Sequence, residues 1–285
     1  AAAPGRGAAG AAGAGREAES PTFVDSSAPC IMVDQRDLCI LWKPPGWSVA
    51  VSAGEGQDGD GDEEWGSARS ESRGAAPKAN SLHVPPRPGE GGRLLQSWVQ
   101  ETLGQRHPIS LDSHAAFGLV HRLDRNTSGP LLCAKSYHGY RAALLQFAAM
   151  RVRKAYLCLC VGWLPPTPLF LSAPLLTART EAGELRSAAD PTGRRARTEV
   201  CRAVHLMSPE GDAYSLVEVR LHTGRLHQIR CHLAALGHPL AGDGAYAGSG
   251  GGGAGAAWCA RIFLHSSCLG LAAPSGPLLA RAPLP

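Results

Sequence analysis

The order of apolar and polar positions divides the chain into short elements with two different periods. Ile31-Met32-Val33 and Leu38-Cys39-Ile40-Leu41 are brief apolar runs around a polar Asp34–Asp37 turn, which predicts two short strands between Pro29 and Trp42. Lys43-Pro44-Pro45-Gly46 ends the second strand, because two prolines cannot continue a ladder. Leu94, Leu95, Trp98, Val99 and Leu103 lie near one face at the helical repeat, predicting a helix over Leu94–Leu103 that Gly104 stops. A second helix is predicted over Ser136–Met150, with Tyr140, Leu144, Phe147 and Met150 as its apolar stripe. Over Lys154–Gly162 the period changes to two. Ala155, Leu157, Leu159 and Val161 share one side, taken as the core side, while Tyr156, Cys158 and Cys160 face the other. Ala213–Leu221 repeats the alternation, with Ser215, Val217, Val219 and Leu221 together. Thr223-Gly224 turns the chain into a helix from about Leu226 to Leu236, ended by Gly237 and Pro239, and Arg261–His265 predicts a late strand. Strands and helices mix without a regular βαβ rhythm, so the class expected is α+β.

Between these elements lie stretches of different character. Residues 1–28 are low-complexity and expected to be disordered, 52–92 are rich in Gly, Ser and acid, and Gly248–Gly255 is a glycine run. The organisation expected is one catalytic domain over 29–285 with insertions at about 52–92 and 248–255. The chain opens on Ala1 rather than Met, which predicts that residues precede it. Its Ala/Gly/Arg-rich start has some transit-peptide character but lacks the hydroxyl-rich amphipathic pattern, so no compartment is assigned. No apolar run reaches the roughly 18–20 residues that span a bilayer, so no membrane association is expected.

Charge adds a direction. Ser113–Tyr246 holds sixteen Lys/Arg against nine Asp/Glu, a net +7, whereas the remainder is net −3, much of the acid lying in Glu55–Glu71. A basic core suits a polyanionic ligand, and equally describes an ordinary solvated surface. The nine cysteines are odd in number, scattered and without a C-x-x-C pair, so neither a zinc site nor a disulfide framework is expected. GSGGGGAG at 248–255 lacks the Lys-Ser/Thr of a phosphate-binding loop.

The stretch that carries chemistry is His121-Arg122-Leu123-Asp124-Arg125-Asn126-Thr127-Ser128-Gly129. On its own, Asp124 before a Thr-Ser-Gly turn reads more readily as a loop cap than as a catalytic acid. The nonapeptide as a whole resembles the HRLDxxTSG signature of the RluA-like family of RNA pseudouridine synthases. Further matches follow in the family's order: Lys43-Pro44-Pro45-Gly46; Gln146-Phe147 with Val152, Lys154, Tyr156 and Val161-Gly162; and Gly193, Ala196 and Thr198. After them come Thr223-Gly224-Arg225-Leu226-His227-Gln228-Ile229-Arg230, Leu236-Gly237-His238-Pro239, Gly242-Asp243-Gly244-Ala245-Tyr246 and Phe263-Leu264-His265. One departure is Pro130, where the family commonly has an aliphatic residue.

The resemblance implies a mixed, largely antiparallel sheet flanked by helices and loops, with the active cleft across its face. It also implies the reaction: uracil is detached from its ribose, turned within the site and rejoined through C5. Asp124 would be the catalytic carboxylate, as nucleophile at the sugar or as base on a sugar proton, and neither route needs a metal or other cofactor. Arg230 would pair with Asp124 and keep it ionised, and Tyr156 would offer the base a stacking face. Arg122 would fill the gap left by the flipped nucleotide, with His121 ordering the loop beside it or meeting RNA. Arg225, His227 and Gln228 would shape the pocket or touch RNA, structural hydrogen bonding being the alternative; Arg194, Arg195 and Arg197 suit phosphates or a solvated loop. The partner implied is RNA, with no obligatory protein partner. Two other readings compete: a non-catalytic RNA-binding or RNA-chaperone protein on this scaffold, and a carboxylate hydrolase of another fold. The hydrolase needs a second acid beside Asp124, and Asp243 is assigned to a separate turn.

Overall fold

The computed structural model describes residues 27–49, 93–181, 183–247 and 258–285. Both expected insertions, and the expected N-terminal segment except its last two residues, lie outside the described residues. The fold is α+β, and every pairing between its named strands is antiparallel.

A three-stranded sheet comes first in the chain. Its strands are β1 (Cys30–Asp34), β2 (Leu38–Lys43) and β3 (Gly129–Ala134), in that order. All of β2 and β3 is buried, which is why they read as unbroken apolar runs. Helix α1 (Leu95–Leu103) buries Leu95, Val99 and Leu103, as the helical repeat requires. Gly104 ends it by close approach: a Cβ there would stand 2.3 Å from the Gln100 carbonyl and 2.8 Å from a Leu111 methyl. Two 3-10 segments, Pro108–Leu111 and Ser113–Gly118, lead from α1 to the motif loop. Helix α2 (Tyr137–Ala148) follows β3 and is capped by Ser136 Oγ, which accepts the Gly139 amide proton at 3.1 Å. The expected stripe overruns this helix. Met150 lies past its end in a left-handed conformation (φ 54°) and is exposed.

The second sheet has six strands. They are β4 (Arg153–Val161), β5 (Leu169–Leu171), β8 (Thr198–Met207), β9 (Ala213–Leu221), β10 (Leu264–Ala273) and β11 (Gly276–Arg281), in the order β11-β10-β4-β9-β8-β5. A separate hairpin, β6 (Leu175–Arg179) with β7 (Leu185–Ala189), stands beside it. Helix α3 is shorter than expected, Gln228–Ala235, because His227 takes the left-handed conformation (φ 53°) as its N-cap. The late strand begins three residues later than expected, at Leu264, runs on to Ala273 and turns back as β11.

The two sheets meet where the motif ends. Ser128 bridges His265 in parallel, and the Ser266 amide donates to the Ser128 carbonyl at 2.8 Å. Gly129 (φ +123°) is required at this seam, since a Cβ would lie 2.1 Å from the Ser266 carbonyl oxygen. The largest core joins the sheets and includes Leu41, Leu131, Tyr156, Cys158, Val217, Val219, Ile229 and Leu264. The alternation along β4 is therefore as expected but its sides are exchanged. The Tyr156, Cys158 and Cys160 side faces the main core, and Leu159 packs in a smaller cluster with Tyr214 and Ala241. All nine cysteines are free thiols.

Candidate active site

The motif loop is clamped from beneath by a lysine. β2 ends on Lys43, which is fully buried. Its Nζ donates to the carbonyls of Pro44 (3.0 Å), Arg125 (3.0 Å) and Thr127 (2.7 Å), so its three protons meet three acceptors. Burial draws this ammonium down to about 7, with Asp124 opposing and Arg261 adding to the effect. The Gly46 amide donates to the Arg125 carbonyl (2.8 Å), and the Thr127 amide closes a turn on the Asp124 carbonyl (3.0 Å). The Asp124 side chain projects from this fixed turn and is 20% exposed.

Arg230, on the first turns of α3, meets Asp124 from the other side. Its Nη1 lies 3.5 Å from Asp124 Oδ2. Its Nε and Nη2 bind Asp243 Oδ2 and Oδ1 at 2.7 and 2.8 Å, a two-pronged pair with a carboxylate that is wholly buried. Asp243 does lie in a turn of its own, as the sequence led us to expect, but that turn carries it onto Arg230. It is the principal partner of Arg230, and Asp124 takes the remaining prong. Burial works against the guanidinium's charge, but the bonds and charge of Asp243, with Asp124 and Tyr246, hold its pKa above the ordinary arginine value. The Arg230 guanidinium also lies 4.9 Å from the centre of the Tyr246 ring.

Tyr156 is buried in the main core, within reach of the Asp124 charge. Burial, then the charge of Asp124, raises its phenol pKa above the usual tyrosine value, while a hydrogen bond from Ser266 acts the other way. His227 senses Asp124, Arg230, Asp243 and Arg122, and its Nδ1 is 3.1 Å from the Tyr246 hydroxyl. Arg122 and Arg125 are exposed around the loop, and Arg225 hydrogen-bonds the Arg195 carbonyl at 3.2 Å.

Two residues expected at the RNA surface are occupied elsewhere. His121 is buried, and its Nε2 accepts the Leu132 amide proton at 2.8 Å. Burial, with Lys154 adding and the Arg122 backbone opposing, lowers its pKa to about 3, so the ring is a neutral acceptor that orders the loop. Gln228 is buried with its amide saturated. Its oxygen faces Thr223 Oγ1 (2.7 Å) and the Arg225 amide (3.0 Å), and its nitrogen faces the Arg197 carbonyl (3.1 Å) and Thr198 Oγ1 (2.9 Å). Both are held by protein partners, which are the loop-ordering and structural roles given above as their alternatives.

Lys43, Asp243 and Tyr246, which hold the motif loop and Arg230, were given no role in the sequence reading. Each stood inside a quoted motif, and the available signal was the pairing of an acid with an aromatic at fixed spacing in Gly242–Tyr246.

Comparison with known proteins gives the family and the fold independently of this site. The family model described as RNA pseudouridylate synthase matches residues 75–235, and the chain belongs to this family. It is 39% identical over 197 residues to an uncharacterized RNA pseudouridine synthase of Chloroflexus aurantiacus, covering 69% of this chain and 58% of that protein. It is 36% identical over 145 residues to the chloroplastic RNA pseudouridine synthase 2 of Arabidopsis thaliana, covering 50% and 33%. The chain thus spans between a third and three fifths of the length of these relatives. Among solved structures, human RNA pseudouridylate synthase domain containing 1 superimposes with a TM-score of 0.61 at 22% identity, covering 90% of this chain and 84% of that one. Human RNA pseudouridylate synthase domain containing 4 gives 0.58 at 19%, covering 90% and 88%. These two similarities establish the fold.

Proposed function

We propose that this chain isomerises uridine to pseudouridine in RNA, with Asp124 as the catalytic carboxylate. The observation that carries the reading is the bridge made by Arg230. One guanidinium is fixed by a buried carboxylate, and its remaining prong is offered to a part-exposed one. A cation held in this way keeps Asp124 ionised and aimed, which suits attack at the sugar or withdrawal of a sugar proton. Tyr156, whose phenol feels the Asp124 charge, would be the ring against which a displaced uracil turns. Reaching the site requires the uridine to leave its stack, at a cost of roughly a few kcal/mol, which is least in loops and mismatches. Exposed Arg122 is placed to occupy the gap and offset part of that cost.

The expected result is that Asp124→Asn abolishes tritium release from RNA labelled at uridine C5, while RNA binding stays within about twofold and stability within about 1 kcal/mol. Wild-type protein that releases no tritium from bulk RNA of cells lacking it would overturn the enzymatic reading. A non-catalytic RNA-binding protein on this scaffold predicts that outcome.

A further inference from the structure

The hydroxyl of Tyr246 sits among three backbone and ring groups, and its hydrogen count determines the state of one of them. Ser187 N lies 3.1 Å away, the Ser187 carbonyl oxygen 2.9 Å, and His227 Nδ1 3.1 Å. A phenol has one proton and two lone pairs. The Ser187 amide donates into one lone pair. The Ser187 carbonyl can only accept, so it takes the phenolic proton. The second lone pair then faces Nδ1, which has to carry a hydrogen. The opposite arrangement gives the phenolic proton to His227 and turns a lone pair on a carbonyl of a residue only 1% exposed. The strand geometry explains why this contact forms. Ser187 meets its β6 partner Thr177 through their hydroxyls at 2.9 Å, which leaves its amide and carbonyl together on the edge of β7 facing Tyr246.

We infer that Tyr246 is a positioning residue that holds His227 in its Nδ1–H tautomer, so that Nε2 stands as a bare acceptor for an N–H or O–H donor of the target nucleotide. The rings cross at 90° with centroids 5.8 Å apart, and His227 is held in left-handed backbone at the N-terminus of α3, three residues before Arg230. Its Nε2 has no hydrogen bond to any described residue. Burial lowers the ring's pKa below the ordinary histidine value, Arg230 and Arg122 act in the same sense, and Asp124 and Asp243 oppose them. Uracil offers such a donor at N3 and ribose at its 2′-hydroxyl. Cytosine has only a lone pair at N3, so an acceptor meeting the base would favour uridine. The nucleotide half of this inference rests on the proposed function; the tautomer does not.

The test is ¹⁵N NMR of the histidine rings in the full chain, with His227 assigned through His227→Gln. The wild type should show Nδ1 protonated and Nε2 bare, and Tyr246→Phe, which keeps the ring beneath Arg230, should shift the ring towards Nε2–H. A wild-type ring protonated at Nε2 overturns the inference, even if tritium release proves the enzyme active. Millimolar uridine 5′-monophosphate should move the Nε2 resonance. Loss of that effect with the 3-methyl analogue identifies the base as donor, loss with the 2′-deoxy analogue identifies the sugar, and no effect overturns the acceptor role. In tritium release, His227→Gln, which places an amide near the Nε2 position, should exceed His227→Asn in kcat by about tenfold. The reverse order would mean that His227 merely tethers the hairpin.

Discussion

Arg230 treats its two carboxylates unequally, and the inequality divides stability from chemistry. Asp243 is wholly buried and takes two short hydrogen bonds, whereas Asp124 is part-exposed and takes one of 3.5 Å. Removing one member of a buried pair strands the other, at a cost of about 3 kcal/mol. Asp243→Asn should therefore lower stability by about that amount in urea unfolding and also depress kcat, because the guanidinium is free to turn fully onto Asp124. A variant that folds as well as wild type and retains full tritium release would refute this division. The site was legible in the sequence to the extent that motifs place residues along a chain: the structure does bring Arg230 onto Asp124. Motifs do not say which polar atoms are already saturated. That is why His121 and Gln228 were expected at the RNA surface, although their acceptors and donors are spent on Leu132, Arg197 and Thr198. For the same reason Asp243 was placed apart from its arginine.

At the scale of elements, the motif loop has no helix or strand of its own to stiffen it, and it borrows rigidity from the end of β2. Lys43 gathers the Pro44, Arg125 and Thr127 carbonyls on one buried ammonium, where a neutral side chain would leave all three without that donor. Lys43→Met keeps the length and apolar stem but removes the protons. It should cost about 3 kcal/mol and speed hydrogen exchange of the Thr127 amide, which closes the turn on Asp124, well beyond exchange in β9. Equal acceleration in both places would indicate general loosening instead of a lost clamp. Elements with a clean period were legible: α1, α2, β4 and β9 all form where the pattern put them. The hairpin β6–β7 and strand β8 were not seen. β6 and β7 are largely exposed, as is the far half of β8, so neither period nor apolar content marks them. The side of β4 that meets the core was also illegible, since alternation specifies two faces without saying which is covered.

For the whole molecule, what matters is where the positive charge lies relative to the cleft. Exposed Arg122 and Arg125 border the motif loop, exposed Arg186 on β7 lies 4.6 Å from the centre of the Tyr246 ring, and exposed Arg195 is tied through its carbonyl to Arg225. Arg122 and Arg125 stand near Asp124 in the motif sequence, and Arg186 and Arg230 both lie against the Tyr246 ring. Exposed arginines supply sequence-independent attraction for phosphates, whereas Asp124 supplies none, so the two functions should separate under salt. Each phosphate that a protein neutralises on a single strand adds about 0.7 to the steepness of log affinity against log salt. Replacing Arg186 and Arg195 together by Ala should therefore flatten the slope by about 1.4, weaken binding to all RNA sequences alike, and raise KM more than it lowers kcat. Asp124→Asn should leave that slope unchanged. If the double arginine variant kept the wild-type slope, the phosphate path would have to run over another face of the protein, away from the seam where the two sheets meet.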